Sequence, residues 1–140
     1  MNNKTFWIGF VVVYVLWQVL GFVIFETMLG EAHSQMSGVF RPENELNDMM
    51  WMLLVSSAVM MFMFCYIFTR GYEGKGIMEG VRYGILIAFL MASPMVIEQH
   101  VLYRVPSNVA NMWLIGIFVS FTIVGAAFAA IYKPQAAAPA

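Results

Sequence analysis

Few side chains in this sequence could do chemistry, and most of them flank apolar runs. Glu26, Glu31 and His33 follow one run, and Glu98, His100 and Arg104 follow another. Two carboxylates with two imidazoles make a donor set able to hold Zn²⁺ or another divalent ion. The same residues also suit ion pairing, Glu26 and Glu98 with Arg41 and Arg104, which would orient the loops instead. A carboxylate at a membrane boundary is costly unless paired, hydrated or protonated. The Glu98-Gln99-His100 spacing weighs against a chelating pair on one helix, because residues two apart point to different sides.

A second candidate is the stretch Arg70-Gly71-Tyr72-Glu73-Gly74-Lys75-Gly76. It invites comparison with phosphate-binding loops, yet it lacks the Gly-x-x-x-x-Gly-Lys-Ser/Thr pattern and follows no strand. Its glycines predict a tight turn. Glu79 and Arg82, three apart, can pair across one helical turn. Arg70, Lys75 and Arg82 would attract anionic lipid head groups, at about 1 kcal/mol each near a surface. Of the 13 methionines, Met49, Met52, Met60 and Met63 fall within one helical stripe. Thioether sulfur suits Cu(I), but with no Cys or His beside it the stripe predicts an adaptable apolar surface.

Several enzyme classes fail on inventory. Asp48 is the only aspartate, so one chain cannot build an aspartic dyad. No histidine lies inside an apolar run, which excludes a haem ligated at mid-membrane by this chain alone. No serine stands in a Gly-x-Ser-x-Gly setting, and Ser56, Ser57, Ser93 and Ser120 are expected to form interhelical hydrogen bonds. The single cysteine, Cys65, rules out a disulfide framework or a Cys-based zinc cluster. Transporters place polar groups on broken helices near the midplane, and here only Gln18 and the 56–57 serine pair come close. The chain is expected to be no enzyme, to hold no resident cofactor beyond a possible divalent metal, and to bind no nucleic acid.

These groups have to be positioned by apolar elements, since 61% of the 140 residues are hydrophobic, 16% aromatic and only 11% charged. A mean hydropathy of +0.77 and a net charge of −1 exclude both a water-soluble domain and a disordered chain. Four runs, 6–25, 49–68, 81–97 and 109–132, each cross a hydrocarbon core of roughly 30 Å as helices. The first is too long for a secretory signal and lacks a small-x-small cleavage site, so it is expected to be retained. The fold class is therefore an all-α, integral membrane four-helix bundle over residues 1–134, with a disordered tail at 135–140. Lys4, Arg70, Lys75, Arg82 and Lys133 oppose Arg41 and Arg104, so both termini are expected in the cytoplasm. Trp7, Trp51, Trp113, Tyr103 and Tyr132 mark run ends as an aromatic belt would.

Span three carries the clearest packing signal: Gly80, Gly84, Ala88 and Ala92 recur every four residues, a ridge of small side chains that lets a neighbouring backbone approach. Gly116 and Ser120, then Gly125 with Ala129 and Ala126 with Ala130, offer a partner ridge on span four, although the ridge could also serve a second copy. Pro94 should kink or end span three. The hairpins resemble each other, Val23-Ile24-Phe25-Glu26 matching Met95-Val96-Ile97-Glu98 and Met50-Trp51 matching Met112-Trp113. Either a parallel duplication or convergent interface residues would produce this.

The passage from Phe68 to Gly84, the closing Ile131-Tyr132-Lys133-Pro134 and the Arg41-Pro42 pair give the chain a resemblance to small four-span bacterial membrane proteins of unassigned function. That resemblance implies a bacterial inner membrane and four spans, and supplies no activity. The expected function is helix–helix association, as an accessory or scaffolding subunit of a membrane complex or as a homo-oligomer. An outer-face module binding a metal ion or small ligand through Glu26, His33, Glu98 and His100 is the alternative, and a redox-complex subunit contacting quinone is the third.

Overall fold

The computed structural model describes residues 3–35 and 43–132, with the side chains of 4–24 and 45–132. The described residues form α1 (Asn3–Gln35), α2 (Glu43–Arg70), α3 (Ile77–Ala92), a π-helical segment (Ser93–Ile97), α4 (Glu98–Leu102) and α5 (Ser107–Ile131). The elements among the described residues are all helical, and four stretches are long and apolar enough to cross a bilayer: Lys4–Ile24, Glu45–Arg70, Ile77–Leu102 and Ser107–Ile131. The helices outrun the apolar runs. Helix α1 continues past Phe25 through Leu29, Glu31 and Ala32, good helix formers that need no apolar neighbour to stay helical.

Helix α2 ends where Gly71 donates its N–H back to the carbonyls of Ile67 and Phe68. The chain then turns through Gly74 at φ 81° and Gly76 at φ 74°. A side chain strains that backbone, so the glycines are structural. The Glu79 carboxylate closes the turn by accepting the N–H groups of Glu73, at 2.6 Å, and Lys75, at 2.8 Å. The expected Glu79–Arg82 pair is accordingly not formed. Two aligned amide donors hold the carboxylate, and the neighbouring ion pair is Lys75 with Glu73.

Pro94 does not end its helix. It lacks an N–H and its ring would collide with a carbonyl one turn earlier, and the backbone absorbs both by widening to the π-helical Ser93–Ile97. Glu98 N–H reaches Ser93 O across this wider turn, and α4 carries the span on to Leu102.

The closest helix pair is α3 on α5. Gly80, Gly84, Ala88 and Ala92 are all buried. A Cβ built at Gly80 would overlap the carbonyl of Gly125, one at Gly84 would overlap that of Phe121, and one at Gly125 would overlap that of Gly80. The two backbones thus touch directly. Gly116 does not join them: its missing Cβ faces Ile24 of α1, 3.2 Å away. Helix α1 packs on α5 and on α2.

At the turn end of the bundle, aromatic rings tie the four helices together. Phe6 of α1 and Phe68 of α2 stand edge-on to Phe128 of α5, with centroids at 6.3 and 5.5 Å. Phe64 lies 4.7 Å from Tyr83 of α3 and 5.7 Å from Phe121. Tyr132, expected in an exposed belt, is 3% exposed. It is stacked on Phe128 and edge-on to Tyr72 and Phe68. The chain's two described ends, Asn3 and Tyr132, therefore lie at the same end of the bundle.

Replacing Gly84 with Leu is expected to destabilise the fold by roughly 3 kcal/mol or more, because a core with no free volume must open. Gly21→Leu, where nothing lies within 4 Å of a built Cβ, should be near neutral. Thermal unfolding of the two variants in the same detergent makes the comparison.

Candidate functional site

The far end of the bundle, opposite the 71–76 turn, holds Glu98, His100 and Arg104. The side chains of Glu26, Glu31, His33 and Arg41, together with Lys133 and the 135–140 tail, lie outside the described residues. Glu98 and His100 sit on α4, and Arg104 on the loop that follows. His100 Nδ1 lies 2.8 Å from Val105 O. A carbonyl can only accept, so Nδ1 is the donor, and Nε2 is left outside this bond. This bond, and Val105 N–H on Tyr103 O at 2.7 Å, fold the loop back so that Val105 packs with Val96, Val109 and Ala110. Arg104 and Glu98 are exposed. Among the described residues no three His, Cys, Asp or Glu side chains converge to hold a metal ion.

At the turn end, Arg70 lies over the Tyr66 ring at 5.6 Å, Lys75 pairs with Glu73, and Arg82 is exposed. The Lys75 ammonium, by its hydrogen bond first and its charge second, holds the Glu73 carboxyl below its ordinary value.

Inside the bundle the structure supplies a closed polar circuit between α1 and α2. Gln18 Nε2 donates to Tyr14 Oη and to Ser57 Oγ, each at 3.0 Å. Tyr14 and Ser57 hydroxyls both donate onward to Leu54 O, at 3.2 and 3.0 Å. Tyr83 Oη makes a second tie, donating to Phe64 O at 2.7 Å. Ser57 thus bonds between helices as expected. Ser56, Ser93 and Ser120 do not; the first two are exposed, while Ser120 is 5% exposed and its hydroxyl has no hydrogen-bond partner among the described residues.

Two grooves open on the flanks. One, of about 120 Å³, separates α2 from α3 and is lined by Met60, Met63, Phe64, Ile67, Leu90 and Met91 among others. Two members of the methionine stripe face it, while Met49 and Met52 lie nearer the other end of α2. The other, of about 200 Å³, lies between α1, α5 and the π-helical segment. Its lining includes Trp17, Gly21, Met95, Trp113, Gly116 and Ser120.

Comparison of the chain with protein-family models, with curated proteins and with solved structures finds no match in any of the three. Among the described residues the bundle offers two grooves with apolar lining and a few neutral polar groups, with charge confined to the two ends.

Sequence reasoning missed the Tyr14 and Tyr83 ties, whose signal is a phenol within an apolar run that must find a partner when buried. Gln18→Leu should cost about 1 kcal/mol, the scale of interhelical hydrogen bonds in lipid, and Ser57→Ala less, both read by thermal unfolding. The sign for pH follows from the lowered Glu73 value. The Glu73–Lys75 contact contributes above the ordinary carboxylate range and is lost as pH falls through the depressed one. In Lys75→Gln, carbon NMR of a labelled Glu73 carboxyl should titrate at higher pH than in the parent.

Proposed function

We propose that this protein is an integral component of a bacterial inner membrane that works without catalysis, by associating with other membrane helices as an accessory or scaffolding subunit or with copies of itself. Both ends and the 71–76 turn lie on the cytoplasmic side in this reading. Lys4, Arg70, Lys75 and Arg82 gather at that end, where Arg70, Lys75 and Arg82 contact anionic head groups, while Arg104 lies at the other.

The observation that carries the proposal is the groove between α2 and α3. These helices follow one another through a short turn, and such neighbours commonly pack along their length. Here they meet through Phe64, Phe68 and Tyr83 near the turn, and beyond those rings a cleft opens to the side. Methionine is unbranched and polarizable, so Met60, Met63 and Met91 can shape themselves to an incoming helix. The glycine ridge is already occupied by α5 and cannot be the outward surface.

Native-detergent mass measurement tests the reading. A species heavier than one chain is expected, either an oligomer or a complex with another membrane protein. Met63→Trp, which fills the cleft from an exposed position, should reduce that species while leaving the unfolding temperature unchanged. A strict monomer that carries nothing with it sinks the proposal. Cysteine labelling from one side of sealed vesicles checks the topology: positions 71, where nothing lies within 4 Å of a built Cβ, and 138 should react together and position 104 from the other face.

His100 favours a second reading. With Nδ1–H fixed on a backbone carbonyl, its Nε2 is presented as metal-binding histidines commonly present it. Glu98, His33 and Glu26 would complete an outer-face site. Metal analysis of gently purified protein decides; no ion, and no change in a His33/His100 double alanine variant, excludes it.

A further inference from the structure

We infer that the groove between α1, α5 and the π-helical segment binds a flat, lipid-soluble ring carrying a carbonyl or hydroxyl oxygen, as quinones and phenols do. Three features place it there.

The first is size and shape. The groove holds about 200 Å³, and a dry apolar cavity of about 150 Å³ is enough for benzene. Gly21 and Gly116 line it without side chains of their own, Ile24 coming within 3.2 Å of a Cβ built on Gly116, and Trp17 and Trp113 add indole rings to the lining. Nothing lies within 4 Å of a Cβ built on Gly21. This glycine does not serve close helix packing, as Gly80 and Gly84 do, and what its missing side chain provides is room.

The second is Ser120. A serine within a helix ordinarily bonds a carbonyl one turn back, as Ser57 does to Leu54. Ser120 is 5% exposed, lines the groove, and has no such partner among the described residues. A buried hydroxyl without a partner costs about 1–3 kcal/mol. An acyl chain would fill the volume and leave the hydroxyl as it was. A ring oxygen satisfies it, and because serine both donates and accepts, a carbonyl or a hydroxyl serves. No ionisable side chain lines the groove, so a charged ligand is disfavoured.

The third is the π-helical segment. Widening the backbone at Pro94 carries Met95 onto the groove's edge. Such π-bulges are frequent at functional sites, and a thioether against an aromatic ring is a favourable contact. The groove is open and not an enclosed cavity, and in this reading the ligand enters it from the bilayer. This site is independent of the α2–α3 groove, and either can fail without the other.

The test uses the full chain in lipid nanodiscs with a photoactivatable benzoquinone probe bearing a short alkyl tail. Labelling should saturate and map to peptides containing Trp17, Met95 or Trp113. Competition by an unlabelled short-chain quinone and by an alkylphenol distinguishes the two sources of the ring. Ser120→Ala should weaken the effective competitor about tenfold, the upper range for one hydrogen bond. Gly21→Leu, which the fold accommodates, should abolish saturable labelling with an unchanged unfolding temperature. Labelling that rises linearly with probe, spreads over the outward faces of all four spans and ignores both substitutions overturns the inference. So does competition that neither a quinone nor a phenol produces.

Discussion

The contact of α3 backbone with α5 backbone governs the arrangement of everything else. Water drives apolar helices together; a bilayer does not, because its acyl chains are as apolar as leucine. What remains is close packing, and close packing between helices requires that side chains be absent from the seam. Gly80 and Gly125 satisfy this mutually, each receiving the other's carbonyl where a Cβ would stand, and Gly84 does the same for Phe121. At that separation Cα–H groups face carbonyl oxygens, at about 0.5–1 kcal/mol each, and dispersion adds along the seam. The remaining helices assemble on this pair: α1 against α5 and α2, and α2 through the rings of Phe64 and Phe68.

Helix α5 also explains why a groove exists beside so tight a seam. It carries small residues on two faces. Gly116 and Ser120 are four apart and share one face. Gly125 lies five residues beyond Ser120, which at 3.6 residues per turn is about 140° further round the helix. One partner cannot cover both. The Gly125 face is taken by α3, and the Gly116 face turns toward α1, where Ile24 approaches at 3.2 Å. Beside that contact, Gly21 of α1 and Gly116 lie across the space that Trp17 and Trp113 border, and the two helices do not close it.

That rotation is arithmetic available from the sequence, and assigning Gly116 to the α3 seam overlooked it. The four apolar helices were legible because run length and hydropathy decide them almost alone, and the Gly80–Ala92 period identified the seam because four-residue spacing has one geometric meaning. The partner face was legible only in part, through Gly125 and Ala129. The aromatic assembly was not: with 16% aromatic residues every helix has rings to offer, and which of them meet depends on helix rotation, which only the folded bundle sets. Tyr132 shows the cost of this. Its position at the end of a run fits a belt, but the end of α5 happens to lie over Phe68 and Tyr72. Glu79 shows another gap, since spacing along a helix says nothing of amides arriving from the turn before it.

The treatment of polar groups inside the bundle argues for reading the groove as a site and not as slack. A loosely packed interior would leave several polar side chains ill matched. Instead Gln18, the most demanding of them, gives both amide hydrogens to hydroxyls that close on a single carbonyl, Leu54 O. Tyr83 reaches across to Phe64 O at 2.7 Å, and Thr69 bonds Tyr66 O at 2.7 Å. Ser120 is buried more deeply than Ser57 and, like Ser56, Ser93 and Thr122, makes no side-chain hydrogen bond among the described residues. The same helix that supplies the tightest contact in the fold places this hydroxyl beside the larger of the two grooves. In the proposed site, what serine adds over alanine is a buried group that can both donate and accept, able to hold an oxygen that the described residues do not provide.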